Sequence, residues 1–166
     1  MVLFRTLALA AVSCLLAGSA ASASPTPIPG GANQVTAVAG TVGQTLFNGM
    51  VRLKVDELRD ATADDHPETA LPGAGQRVMV LTALVRNGTH APFQELLTYT
   101  LADADDVTFA IPGYLIKPSP LNVQQGGAAR QKSLFLVDAG FHPTKLIVQC
   151  PSCSRSHPFR AFRVSL

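Results

Sequence analysis

The 166-residue sequence predicts an all-β domain built as an antiparallel two-sheet sandwich. Seven or eight short segments alternate apolar and polar residues with a period of two, which is the pattern of half-buried strands. Turn-forming residues separate these segments, and the 13 glycines and 12 prolines recur too often for a long helix. A folded part of about 125 residues is long enough for two sheets around one core.

The first strands are predicted around a tight hairpin. Gln44–Phe47 leads into Asn48-Gly49, the residue pair that most strongly favours a short turn between antiparallel strands. After this turn, Val51–Val55 alternates apolar and charged residues. This alternation predicts a strand with one buried and one exposed face.

The next strand has a different pattern. Arg77–Val85 is almost continuously apolar, which predicts a central strand covered on both faces, and Arg86-Asn87-Gly88-Thr89 ends it. Five further strands follow along the chain: Leu96–Leu101, Val107–Ile111, Ser133–Val137, Lys145–Cys150 and Phe159–Val164.

The first 23 residues have the features of an export signal. Arg5 supplies the positive charge, Leu7–Ala17 is an apolar run too short to span a bilayer, and Ala21-Ser22-Ala23 fits a cleavage site. Cleavage there leaves about 143 residues, a net charge of +1 and two cysteines. A lipoprotein signal at Cys14 fits less well, because Ala11-Val12-Ser13 before it is a poor match. We therefore expect a secreted or periplasmic protein without a membrane span.

Residues 24–40 are uncharged and rich in proline, glycine, alanine, serine and threonine. This composition favours a linker or an unpaired N-terminal arm. The sandwich domain is therefore predicted to span residues 41–166. Within it, residues 61–74 and 112–127 form the long connections, and the first has room for a short helix.

Five short stretches follow one another in a particular order: Val42-Gly43-Gln44, Val51–Val55, Leu84–Gly88, Tyr99–Asp105 and Thr144–Val148. Their order resembles that of the small exported immunoglobulin-like domains of bacteria, and is similar in plan to the mycobacterial immunoprotective extracellular antigens. The resemblance covers most of residues 41–166. It implies an immunoglobulin-like β-sandwich of seven to eight strands with no agreed activity. The segment containing Cys150 and Cys153 departs from the family's pattern.

The motif Cys150-Pro151-Ser152-Cys153 supports three interpretations. Export favours a local disulfide, which is the interpretation we adopt. A thiol-redox site is the second, although such sites place the first cysteine at a helix N-terminus and here a strand precedes it. The third is a zinc site in which His157 joins the two cysteines and either His142 or a second subunit completes the set, since a closed zinc site needs four ligands. No other cofactor is predicted.

Charge is unevenly distributed along the chain. The net charge of +2 is too small to suggest a nucleic-acid partner. Ten of the 11 acids lie between Asp56 and Asp106, whereas seven bases and one acid follow from Val107 onward. The late bases are predicted to gather on one edge: Arg130, Lys132, Arg155, Arg160 and Arg163. They either protect strand edges or, through Arg155, Arg160 and Arg163, bind an acidic partner, glycan or lipid head group.

Two smaller patterns have ordinary structural interpretations. Asp103, Asp105 and Asp106 are too few for a calcium site and are typical of a tight turn. Asn87-Gly88-Thr89 fits the N-glycosylation sequon, but in a bacterial protein it indicates only a turn.

These observations predict an exported, non-enzymatic binding or structural module of the cell envelope or extracellular space. Its partner would be an unknown protein or envelope ligand. The alternative is a zinc-binding or thiol-redox protein centred on the Cys-Pro-Ser-Cys motif.

Overall fold

The computed structural model describes residues 37–65, 70–110, 120–153 and 159–166. The predicted signal peptide, residues 1–23, lies outside the described residues. The described strands are β1 (Val38–Thr41), β2 (Thr45–Phe47), β3 (Val51–Asp60), β4 (Gln76–Asn87), β5 (Thr98–Ala102), β6 (Thr108–Ala110), β7 (Ala128–Asp138), β8 (Lys145–Gln149) and β9 (Phe162–Ser165).

The strands form two sheets, which confirms the predicted sandwich. One sheet has five strands in the order β1-β9-β8-β5-β6, and the other has four in the order β2-β3-β4-β7. The described count is nine strands, whereas seven or eight were expected. The pairing is also not wholly antiparallel, because β1 runs parallel to β9.

The additional strand is β1, which begins at Val38, inside the stretch predicted as an arm. Its backbone pairs with the last strand of the chain, a contact that no local pattern encodes. The chain then crosses to the other sheet through a turn at Gly43, whose φ of 82° suits glycine. The two N-terminal strands therefore tie both sheets together.

Strand β3 continues beyond the predicted Val55 through a β-bulge. The pairing with β4 shifts between Val55 and Glu57, which leaves Asp56 as the extra residue. The bulge reverses which alternate residues face the core. A period-two pattern cannot continue across such a shift, so the sequence indicated only the first half of this strand.

Strand β4 is covered on both faces, as its continuous apolar run predicted. Val78, Met79, Val80 and Leu81 are all buried. Val78 and Val80 face away from the second sheet, and the connection after β3 lies over this side, where its Asp65 contacts Lys132 of β7 at 2.6 Å. This connection contains a short 3₁₀ turn at residues 63–65. In the described part of the chain, no helix is long and apolar enough to cross a membrane.

The core between the sheets contains one inter-sheet polar contact that we expect to contribute to stability. Tyr99 of β5 is buried, and its hydroxyl donates a hydrogen bond to the Gln131 side chain on β7. Burial raises the pKa of the Tyr99 phenol, so the hydroxyl keeps its proton across the physiological range.

The variant Tyr99→Phe should therefore lose about 1–2 kcal/mol of stability, because the Gln131 oxygen loses its donor while the packing volume is kept. Chemical denaturation followed by circular dichroism measures the loss. Tyr99→Leu, which loses the ring as well as the hydroxyl, separates the packing contribution from the polar contribution. A Tyr99→Phe variant as stable as the wild type would show that the Gln131 contact contributes nothing.

Candidate functional site

The Cys-Pro-Ser-Cys motif forms a tight loop directly after β8. A disulfide joins Cys150 to Cys153, with their Cα atoms 5.4 Å apart. The Cys153 amide also donates to the Cys150 carbonyl at 3.3 Å, which closes the turn. Both cysteines are half-buried and pack against the core. The loop is therefore part of the packed end of the sandwich.

A second segment, just before β5, lies against this loop. The Leu96 amide donates a 2.8 Å hydrogen bond to the Ser152 hydroxyl oxygen. Its neighbour Glu95 places a carboxylate oxygen within 4.8 Å of both cysteine sulfur atoms. Sequence reasoning missed Glu95, because it lies in a different loop far from the cysteines along the chain and carries no motif of its own.

The predicted zinc ligands are not all brought together. His142 precedes β8 and Cys150 follows it, so they lie at opposite ends of a five-residue strand. At about 3.3 Å per strand residue, this separation exceeds 15 Å and is far too long for ligands of one ion. His157 and Arg155 lie outside the described residues. Among the described residues, Glu95 is the side chain that lies with the two cysteines at a spacing suited to metal ligands.

The late bases that the structure describes do not all lie on one edge. Arg130 and Lys132 lie on β7 of the four-stranded sheet, whereas Arg163 lies on β9 of the five-stranded sheet and Arg160 just before it. Arg163 is half-buried, and this burial lowers its pKa. These bases are separated because β7 belongs to the four-stranded sheet, whereas β8 and β9 belong to the five-stranded sheet.

The acidic first half and the basic second half of the chain instead pair with each other. Arg130 contacts Asp56 at 2.6 Å and Lys132 contacts Asp65 at 2.6 Å. Likewise, Lys145 contacts Asp106 at 2.8 Å. These long-range pairs bring early acids and late bases, which are separated along the sequence, together in the folded protein.

Asp65 is the most strongly held of these acids. The Asp65 side chain is only 3% exposed. Its carboxylate forms ion pairs with Arg59 at 2.5 Å and with Lys132, which both lie on the outer face of the four-stranded sheet. The Thr62 amide and hydroxyl also donate to it, at 2.8 and 3.0 Å. The hydrogen bond from Arg59, followed by that from Lys132, holds the pKa of Asp65 well below the ordinary range. This network attaches the connection after β3 to the sheet.

The outer face of the four-stranded sheet carries a set of bases that we call the basic face. Its members alternate with buried residues along β3, β4 and β7, so they point away from the second sheet. They are Arg52, Lys54, Arg86, Arg130 and Lys132. Asp56 pairs with Lys54 and Arg130, and Asp65 pairs with Lys132. The hydrogen bond from Lys54 lowers the pKa of Asp56.

One end of the basic face contains two arginines without a carboxylate partner. Arg52 and Arg86 lie directly opposite each other on β3 and β4. Among the described residues, no carboxylate lies within ion-pair distance of either. The Arg52 guanidinium instead sits 4.4 Å above the ring of Phe47 on β2, and Phe47 is 46% exposed. A Cβ on Gly88 would meet the Phe47 ring at 3.0 Å, so the glycine leaves room for this stack.

The remaining sequence candidates have structural roles. The Asp103 carboxylate accepts hydrogen bonds from the amides of Asp105 and Val107, both at 2.9 Å, as expected for a turn. Asn87 of the sequon is buried, and its amide nitrogen donates to the carbonyls of Ala91 and Val123 at 2.7 and 2.9 Å. The nitrogen that a glycan would modify therefore forms hydrogen bonds inside the protein, and these bonds stabilise the turn after β4.

Comparison with solved structures identifies the fold. A secreted protein from Mycobacterium tuberculosis, MPT63, matches with a TM-score of 0.50 and 22% identity, covering 80% of this chain and 100% of that one. The chain has the fold of this secreted mycobacterial protein. The match confirms the fold that the sequence resemblance implied, and at this level of identity it establishes the fold alone.

Two other bacterial structures are more distant. A conserved hypothetical protein from Bacillus anthracis has a TM-score of 0.47 and 14% identity, covering 66% of this chain and 88% of that one. An uncharacterized β-sandwich protein from Clostridium difficile has a TM-score of 0.46 and 8% identity, covering 78% and 94%. No family model and no curated protein matches the chain.

Proposed function

We propose that this protein is an exported, non-enzymatic module that binds an anionic polysaccharide of the cell envelope through its basic face. The observation that carries the proposal is the Arg52–Arg86 pair. Like charges directly opposite each other on neighbouring strands destabilise a sheet. An anion that bridges the two guanidinium groups removes this repulsion. The repulsion that destabilises the free protein therefore favours anion binding.

The shape and chemistry of the face favour a sugar polymer. The part of the outer face around Arg52 and Arg86, away from the connection after β3, spans four strands about 4.8 Å apart and is about 14 Å wide, which suits an extended chain. Arginine binds carboxylate and sulfate groups through two parallel hydrogen bonds. The half-exposed ring of Phe47 beside Arg52 offers an apolar surface on which a sugar ring can lie.

The electrostatics of the described residues support a binding role over catalysis. Enzymes shift the pKa values of acids and bases inside clefts. Here the lowered pKa values of Asp56 and Asp65 arise from ion pairs that hold the sheet and its covering connection. Export is expected from the N-terminal sequence, and the fold is that of a protein described as secreted.

The test compares the wild type with an R52Q/R86Q variant on two polyanions, polygalacturonate and dextran sulfate, with neutral dextran as the blank. We expect the variant to bind at least about tenfold more weakly, equivalent to about 1.4 kcal/mol, while its circular dichroism spectrum stays unchanged. Wild-type affinity should fall steeply with added salt, because exposed charges are screened.

An R160Q/R163Q variant, which loses the same charge, is the matched control and should keep wild-type affinity. If instead this control loses binding and R52Q/R86Q retains it, the basic face is wrong and the C-terminal arginines of the sequence-based hypothesis are favoured. An equal loss in both variants would indicate a general charge effect and would also refute the site. Absence of wild-type binding to both polyanions would refute the proposed function.

A further inference from the structure

We infer that, once Cys150 and Cys153 are reduced, they and Glu95 form a binding site for zinc or a similar thiophilic divalent cation. Two sulfur atoms and one carboxylate oxygen already lie within 4.8 Å of one another. Thiolates with a carboxylate are a ligand set that zinc accepts, whereas calcium and magnesium prefer oxygen alone. This inference is independent of the basic face.

The backbone is already spaced for coordination. In a tetrahedral site with Zn–S bonds of about 2.3 Å, the two sulfur atoms lie about 3.8 Å apart. The Cα atoms of the two cysteines are 5.4 Å apart, so side-chain rotation separates the sulfurs to this spacing without moving the strands. All three ligating residues are half-buried, which limits competition from water.

The carboxylate is held near the cysteines by a contact outside the ligand set. The hydrogen bond from the Leu96 amide to Ser152 joins the segment containing Glu95 to the cysteine loop. Neither atom of this hydrogen bond belongs to a cysteine, although the Ser152 hydroxyl also contacts the Cys150 sulfur at 3.7 Å, and we expect the bond to persist when the disulfide is reduced. With three ligands supplied by the chain, one tetrahedral position stays open.

The chemistry requires an external reductant, such as a thiol. Two thiol molecules cleave the Cys150–Cys153 bond, are themselves oxidised to a disulfide, and leave a thiol on each cysteine. The divalent cation then displaces both thiol protons to solvent and binds the two thiolates and the Glu95 carboxylate. Zinc affinity should therefore rise with pH and be lost on reoxidation.

The experiment uses protein reduced with a phosphine, because thiol reductants themselves bind zinc. After anaerobic desalting, zinc is titrated against a chromophoric chelator, and cobalt is added separately to detect thiolate-to-metal charge transfer. We expect one zinc per reduced chain and none at this site in the oxidised protein. E95Q should weaken zinc binding by about tenfold or more, and E57Q, the matched control on β3, should not.

Two results would overturn the inference. One is zinc binding by the reduced wild type that is no tighter than binding by a C150S/C153S variant. The other is an E95Q variant with wild-type affinity, and if H157A then lost zinc, the ligand set predicted from the sequence would replace Glu95. Circular dichroism of each reduced variant shows whether a loss of affinity reflects a lost ligand or a lost fold.

Discussion

Replacing Phe135 by alanine is expected to cost about 3–5 kcal/mol of stability. Phe135 is fully buried on β7, opposite Met79 of β4, and faces the five-stranded sheet. Truncation removes a large apolar group from the centre of the core and leaves a cavity that the surrounding strands cannot fill, because hydrogen bonds fix their positions. Urea denaturation of the disulfide-intact protein, followed by circular dichroism, measures the loss.

The same substitution at Phe47 provides the control. Phe47 is 46% exposed, and its defined contact is with the Arg52 guanidinium. Phe47→Ala should therefore cost about 1 kcal/mol or less. Equal losses for the two variants would contradict the assignment of Phe135 to the central core.

Replacing Asp65 by asparagine is expected to lower the melting temperature by several degrees at neutral pH. The substitution removes the negative charge that faces Arg59 and Lys132 and leaves both cations beside a neutral amide. The connection after β3 should then detach from the outer face, where it covers Val78 and Val80. Thermal unfolding, together with hydrogen exchange of the Val80 amide, measures both effects.

The effect of Asp65 should depend on pH in a defined direction. Its pKa in the folded protein lies well below the value of about 3.9 for an aspartate in an unfolded chain. The stabilisation is therefore complete above that unfolded value and is lost as pH falls toward the folded value. The stability difference between wild type and Asp65→Asn should shrink from pH 6 to pH 2.

Asp64→Asn is the matched control, because Asp64 occupies the same 3₁₀ turn but is exposed. It should leave the melting temperature within about a degree of the wild type, as surface substitutions usually do. A constant difference between wild type and Asp65→Asn across the acid range would show that ionisation of Asp65 contributes no stability.

Local patterns were sufficient for most of the fold. The Asn48-Gly49 pair predicted the β2–β3 hairpin, and Gly49 adopts a φ of 97° there, a conformation that costs glycine little. The apolar run of β4 predicted burial on both faces, which its buried residues confirm. Such features can be recognised because a turn or a strand face depends on neighbours in sequence.

The candidate sites were much harder to predict from the sequence than the fold. The cysteine motif is conspicuous in sequence, but Glu95 reaches it from another loop. Arg52 and Arg86 become a pair only through the register of β3 and β4. The β-bulge at Asp56 shifts the pairing of β3 with β4 by one residue. The alternation of apolar and polar residues along β3 cannot reveal such a shift.

The sequence by itself determined the sandwich class, the export expectation and the separation of acids from bases along the chain. Only the tertiary structure decided that β1 joins β9 in parallel and that early acids pair with late bases, as Asp56 does with Arg130. The tertiary structure also decided which bases lie together on the outer face of the four-stranded sheet to form the basic face. The physical reason is that alternation and turn preference act between neighbouring residues, whereas sheet edges and ion pairs join residues that only folding brings together.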